Sequence, residues 1–230
     1  MGKYLSPEQV LNKNIEIMGN RLGSIFTELE NELIWLHHKW DQYLKLFGRS
    51  EKQIIILNET ANGFFGLVQM VLFEDIILHI SRLTDPSKTF GKKNLSLRSL
   101  SEYLTDLTLK NKVSELIDGS IGACPSVNKW RNNRIAHRDL HKTIARMKDP
   151  LPNISRLQID SLLRSFDDVL NIIQDHFGGG ETIFGDLISK DKDAESLFHY
   201  LNLGLEADKK RLARIKDGTF LPDDFKYDKI

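Results

Sequence analysis

This chain of 230 residues has one cysteine, no net charge and no long apolar run. Its one cysteine, Cys124, excludes an intramolecular disulfide and is typical of a reducing compartment, so we expect a cytoplasmic protein. The 32 basic and 32 acidic residues cancel, which argues against a nucleic-acid coat protein but leaves room for a local basic patch. No segment approaches about 18 uninterrupted apolar residues, so we expect no membrane partner.

Apolar residues recur in steps of three and four along most of the chain, which is typical of amphipathic helices. The pattern predicts one long helix from Ser6 to near Gly48 and a second that ends before Pro86. Shorter helices are predicted further on, and alternation of the strand type is essentially absent. The sequence therefore predicts an all-α fold, with a helical bundle over residues 1–177 and a helical C-terminal extension over residues 178–230.

The stretch "KWRNNRIAHRDLHK", residues 129–142, is strongly basic, although the chain as a whole has no net charge. Residues 129–148 contain seven Lys and Arg against one Asp, a net charge of +6. If the stretch is one helix, five side chains occupy about a third of its circumference. These are Arg131, Arg134, His137, Arg138 and His141.

Arginine and histidine on one face are the side chains that cleavage of a phosphodiester requires. Arg131 would stabilise charge on the phosphoryl oxygens, and His137 would move a proton near neutral pH. RNA supplies its own nucleophile, the 2′-hydroxyl, so neither a metal ion nor another cofactor is needed. The alternative is a solvated basic helix face. Arg131 and His137 are about 9 Å apart along an ideal helix, so we hypothesise that a second copy of the chain completes the groove.

Two charged residues interrupt the apolar stripe of the second predicted helix. Asp75 and Arg82 lie where the pattern predicts apolar side chains, and such charges are costly unless they are paired or line a cleft. They are candidate supporting groups for His137 or an arginine, and the alternative is a structural ion pair within the bundle. Asp75 and His79 also have the spacing of a metal-binding pair, but no third ligand is evident.

The run Arg131-Asn132, four residues and then His137 resembles the R-N-x(4)-H form of the HEPN signature. The segments "LHHKWDQYLKLFG", "ILNETANGFFGLVQMVLFEDIILHISRLTDP", "KKNLSLRSL" and "WRNNRIAHRDL" make the chain similar to the abortive-infection, AbiU-like HEPN proteins. The resemblance extends from about residue 25 to residue 175, with a weaker match in "AESLFHYLNLGL".

This resemblance implies an antiparallel helical bundle that forms a homodimer and brings two motifs into one cleft. It also implies a metal-independent endoribonuclease of phage defence or toxin–antitoxin systems, with Arg131, Asn132 and His137 in the active site. Glu74 and Asp75 are where related bundles often supply an acid. Arg134, Arg138 and His141 remain substrate-binding candidates from the helical face. An antitoxin or a phage-derived trigger is a possible partner. A non-catalytic HEPN module that binds RNA or protein, and a purely structural helical dimer, are the alternatives.

Overall fold

The computed structural model describes residues 5–123, 125–132, 152–187 and 193–225. Its regular elements are mostly helices, as follows: α1 Pro7–Met18, α2 Asn20–Phe47, α3 Glu51–Thr84, β1 Lys88–Thr89, β2 Lys92–Lys93, α4 Leu97–Ser101, α5 Leu107–Ala123, α6 Pro125–Trp130, α7 Arg156–His176 and α8 Ala194–Lys216. Short 3₁₀ turns occupy Phe184–Leu187 and Pro222–Phe225, and Phe184 is buried within the first of them. The predicted all-α bundle is confirmed.

The prediction of a single N-terminal helix from Ser6 to near Gly48 is wrong, because the helix is interrupted at Gly19. Gly19 has φ of 82°, a left-handed conformation that side chains disfavour, so α1 ends there and α2 begins with Asn20. At Gly23 a Cβ would lie 2.4 Å from the carbonyl oxygen of Asn14, so only glycine lets the two helices approach here. The apolar rhythm continues through the break and therefore conceals it.

Helix α3 ends where the sequence predicts. Its last residue is Thr84, and Pro86 cannot continue a helix because it lacks an N–H group. The backbone of α3 leaves helical geometry once, at Ala61.

The chain divides into two compact units that share α2 and α3. Unit 1 comprises residues 1–40 and 73–188, and unit 2 comprises residues 41–72 and 189–230. In unit 1 the buried apolar side chains come mostly from the helices α2 to α7, including Phe26 of α2, Ile77 of α3, Val113 of α5 and Phe166 of α7. The predicted boundary at residue 177 stays a prediction.

Unit 2 has a small apolar core and a buried ion pair. The core consists of Leu46, Leu57, Phe65, Ala194 and Phe198.

The ammonium group of Lys45 lies 2.5 Å from Asp193 Oδ2 and 2.7 Å from Asp41 Oδ2. Burial opposes the charge on Lys45, but the bonds to Asp193 and Asp41 outweigh it and hold its pKa above the ordinary value. Asp193 also caps α8, since its Oδ1 accepts the backbone N–H of Glu195 at 2.9 Å.

Among the described residues, one helix is long and apolar enough to cross a membrane by length and composition. It is α3, with an 18-residue window of mean hydropathy 1.6, of which 28% is buried. The criterion of an uninterrupted apolar run misses this window because polar residues such as Gln69 break the run. The same helix contributes Ile76, Ile77 and Ile80 to the core of unit 1.

Candidate active site

The arginine of the sequence motif is held by Asp85, a residue that no periodic pattern in the sequence singles out. Arg131 Nη1 donates to Asp85 Oδ1 at 2.7 Å, and Nη2 donates to Oδ2 at 3.3 Å. The Arg131 side chain is 34% exposed and that of Asp85 is 18% exposed. This two-pronged contact fixes the plane of the guanidinium and uses two of its five N–H groups, so the group can still bind a phosphate.

Helix α6 places Arg131 through two anchors. Val127 is buried, and the Trp130 ring packs edge-on against Phe73 with 5.4 Å between ring centroids. The indole N–H of Trp130 donates to the carbonyl oxygen of Pro152 at 2.7 Å. Arg131 thus follows directly after a residue fixed on two sides, so its backbone has little freedom.

The backbone of Arg131 and Asn132 is π-helical, in contrast to the α-helical turns before it. Single π-type turns inside helices occur frequently at functional sites because they change the direction of the side chains. The side chain of Asn132 is exposed. The remaining motif residue, His137, lies outside the described residues, as do Arg134, Arg138 and His141.

The supporting residues predicted on α3 belong to a polar network with α2. Lys39 Nζ lies 2.6 Å from Asp75 Oδ2 and donates to His79 Nδ1 at 3.3 Å. On the other side of the ring, His79 Nε2 lies 2.8 Å from Glu32 Oε2, though out of line for a hydrogen bond. Arg82 Nη2 is 4.0 Å from the same carboxylate.

Burial and the neighbouring cations favour the uncharged form of His79, and they outweigh the opposite effect of Glu32 and Asp75. Burial of the ring, and then the positive charge of Lys39, lower the pKa of His79 from 6.5 to about 4. The neutral ring accepts the Lys39 proton at Nδ1, so its own proton is on Nε2 and faces Glu32. Asp75 and His79, which have the spacing of a metal-binding pair, are therefore engaged with Lys39 and Glu32.

Glu74, the other predicted supporting acid, is a half-buried residue of α3. The ion pairs of Asp75 and Arg82 are with residues of α2, whereas the acid at the motif arginine is Asp85, the first residue after α3. The structure thus brings Arg131 together with Asp85, which lies 46 residues earlier in the chain.

Comparison with protein-family models gives a match to the HEPN AbiU2 model over residues 19–198. The chain belongs to the HEPN AbiU2 family. The match covers more than half of the chain, and it confirms the resemblance expected from the motif and its flanking segments. No curated protein and no solved structure matches the chain. Membership indicates a module of the HEPN abortive-infection or toxin type.

In this HEPN AbiU2 protein, sequence reasoning missed Asp85 for a specific reason. Asp75 and Arg82 are conspicuous because they interrupt the apolar stripe of α3, whereas Asp85 lies beyond the end of that stripe, in the triplet Thr84-Asp85-Pro86. An acid placed between a helix end and a proline has a fixed backbone, which is a useful property in a partner for a functional arginine. That triplet is the one sequence feature that would have indicated Asp85.

Proposed function

We propose that this HEPN AbiU2 protein is a metal-independent endoribonuclease that acts as an antiphage or toxin-type effector in the cytoplasm. The observation that carries the proposal is the paired contact of Asp85 with Arg131. It pre-positions a guanidinium group in the motif that the family match covers. Fixed donors at the site of developing charge are among the largest contributions to catalysis.

The proposed reaction is transfer of a phosphoryl group within the RNA. The 2′-hydroxyl oxygen attacks the adjacent phosphorus, and the bond from phosphorus to the 5′-oxygen breaks. His137 takes the proton of the attacking hydroxyl or gives one to the leaving oxygen, so the products are a 2′,3′-cyclic phosphate and a 5′-hydroxyl. Arg131 stabilises the negative charge on the phosphoryl oxygens, and Asn132 contacts the phosphate or orients the motif.

The remaining basic residues of the stretch serve substrate binding in this proposal. Arg134, Arg138 and His141 hold neighbouring phosphates, since they share the face of Arg131 and His137 on an ideal helix. An antitoxin or a phage-derived trigger would regulate access to this surface.

A homodimer is part of the proposal because it supplies two copies of His137, one for each proton transfer. The surface of unit 2 supports association with a second copy. Within the described residues, unit 2 exposes twelve large apolar side chains but buries only four. On α3, four of these exposed side chains lie beyond the irregular residue Ala61 and form a stripe, which we call the α3 stripe, consisting of Phe64, Leu67, Met70 and Val71. Contiguous exposed apolar surface of this kind marks interaction sites.

The test is a nuclease assay in EDTA with purified protein and single-stranded RNA. We expect wild-type cleavage that ends in cyclic phosphate, and a loss of at least about 100-fold in the rate for His137→Ala and for Arg131→Ala. Matched controls are His199→Ala and Arg156→Ala, because both residues are exposed on other helices. Retained activity in both motif variants would refute the site. RNA binding by the wild type without cleavage would favour the non-catalytic module.

A further inference from the structure

The short hairpin after α3 carries a phenylalanine at its tip. Strands β1 and β2 pair Lys88 with Lys93 and Thr89 with Lys92, so Phe90 and Gly91 form a two-residue turn. Both turn residues have positive φ, 47° and 82° respectively, as a type I′ turn requires.

Neither packing nor backbone geometry explains why residue 90 is a phenylalanine. Its side chain is 102% exposed, so the ring gains nothing from burial. Among the described non-glycine residues Phe90 alone has positive φ, a conformation that disfavours bulky side chains and suits asparagine or glycine. A strained backbone that carries an exposed aromatic ring is the kind of outlier that indicates a binding role.

The hairpin is also strongly basic. Residues 88–93 contain three lysines and no acid. Lys93 is engaged with the Tyr103 hydroxyl at 2.7 Å and with Glu102 at 3.4 Å. Lys88 and Lys92 are exposed, and among the described residues neither is in a direct ion pair, although the positive charge of Lys88 is one of the causes that lower the pKa of Glu102. In the sequence, Phe90 stands between two exposed lysines, and an aromatic ring with nearby positive charge suits a nucleotide, which has a flat base and a charged phosphate.

The side chain of Asn94 closes the base of the hairpin. Asn94 Nδ2 donates to the carbonyl oxygen of Pro86 at 2.7 Å and to Thr89 Oγ1 at 2.8 Å. The hairpin begins three residues after Asp85, which spans at most about 11 Å of extended chain. It is therefore anchored close to the Asp85–Arg131 pair.

We propose that the hairpin of residues 88–93 is a binding element for single-stranded RNA. One unstacked base lies on the ring of Phe90, while Lys88 and Lys92 neutralise adjacent phosphates. This proposal takes its ligand from the proposed function and adds a second contact region outside the motif. Duplex RNA fits poorly, because its bases are stacked and their faces are not available to a side chain.

The experiment measures binding of a labelled 12-nucleotide oligo(A) to the full chain carrying His137→Ala, which prevents cleavage. Phe90→Asn removes the ring and suits the turn, so we expect unchanged thermal stability and about ten-fold weaker binding. Phe90→Trp keeps a stacking surface and should bind as the parent does. Tyr200→Asn, at another exposed aromatic residue, is the matched control and should have no effect.

The lysines are tested through salt dependence. Lys88→Gln with Lys92→Gln should make the slope of log affinity against log salt shallower by about 1.4, which corresponds to two phosphate contacts on a single strand. The same double change at Lys52 and Lys112, which are exposed on helices, is the control.

The outcomes separate this proposal from the nuclease proposal. If the wild type cleaves RNA but Phe90→Asn leaves affinity and KM unchanged, the hairpin proposal is overturned and the nuclease proposal stands. If the wild type does not cleave RNA but Phe90→Asn weakens binding, the nuclease proposal is overturned and the hairpin proposal stands. Absence of binding to oligo(A), or equal affinity for duplex RNA, also overturns the hairpin proposal.

Discussion

The carboxylate of Asp85 receives two N–H groups from the guanidinium of Arg131, and the two residues are 46 positions apart in the chain. The pair joins the end of α3 to the first motif residue. Because it is partly exposed, it contributes only about 1 kcal/mol to folding. Its main effect is on geometry, since a bidentate contact fixes both the position and the plane of the guanidinium.

Asp85→Asn should therefore reduce RNA cleavage far more than stability. The amide can accept only one of the two hydrogen bonds and has no charge, so Arg131 would sample other orientations. We expect kcat to fall about 10- to 100-fold, with a loss of about 1 kcal/mol in the free energy of unfolding.

Asp75→Asn is the matched control, because Asp75 pairs with Lys39. Its kcat should stay within about two-fold of wild type. A larger loss of kcat in Asp75→Asn than in Asp85→Asn would show that Asp75 is the supporting acid, as the sequence alone predicted.

Acid should destabilise the protein through His79. Its folded pKa of about 4 lies below the ordinary 6.5, so the unfolded chain binds more protons between these values. The stabilising contribution is complete above pH 6.5 and is lost as the pH falls towards 4. Glu30 acts in the opposite direction between pH 4.5 and about 6, because burial raises its pKa to about 6.

The measurement compares wild type with His79→Gln in urea at pH 7 and pH 5. Glutamine does not titrate, so the variant should lose less stability on acidification, by an amount on the order of 2 kcal/mol. Glu30 is common to both proteins and cancels in the difference. Equal acid sensitivity would mean that His79 has an ordinary pKa.

Breaking the buried ion pair in unit 2 should be costly. Lys45→Met leaves Asp193 without its buried counter-charge, so we expect a loss of about 3 kcal/mol in the free energy of unfolding. Adding Asp193→Asn removes the unpaired charge but keeps a capping side chain for α8. The double variant should recover part of the loss in urea unfolding. A double variant less stable than Lys45→Met alone would contradict this account.

The α3 stripe should be buried between two copies of the chain. Phe64→Gln with Leu67→Gln should shift the protein from dimer to monomer in sedimentation velocity without loss of helical content. Leu157→Gln, at a leucine that is 74% exposed on α7, is the control and should remain dimeric. A monomeric wild type would exclude a second copy, and binding of wild type to lipid vesicles would assign the stripe to a membrane.

The sequence predicted the helices well where local chemistry decides their ends. The predicted start at Ser6 agrees with the capping box that Ser6 forms with Gln9, and the predicted end before Pro86 agrees with the last residue of α3, Thr84. The break at Gly19 was missed because the apolar rhythm is the same on both sides of it. Tertiary approach at Gly23, rather than local preference, makes α1 and α2 separate helices.

The candidate site was predicted only in part, since motif spacing identifies Arg131 but carries no information about its partner. Asp85 becomes its neighbour through the packing of α6 against α3, for which the Phe73–Trp130 contact is the visible evidence. The two exposed residues at the tip of the hairpin, Phe90 and Gly91, follow no periodic pattern and so gave no indication of a role.

The small core of unit 2 bears on how this protein can be divided genetically. Leu46, Leu57 and Phe65 come from the first third of the chain, whereas Ala194 and Phe198 come from its last sixth. A gene truncated after codon 177 would therefore not produce a shorter protein that still folds correctly. It would expose half of an apolar core, and the product would be a substrate for chaperones and proteases. The core of unit 2 therefore joins residues made early in translation to residues made about 130 positions later, so unit 2 cannot complete its folding before Phe198 has been synthesised.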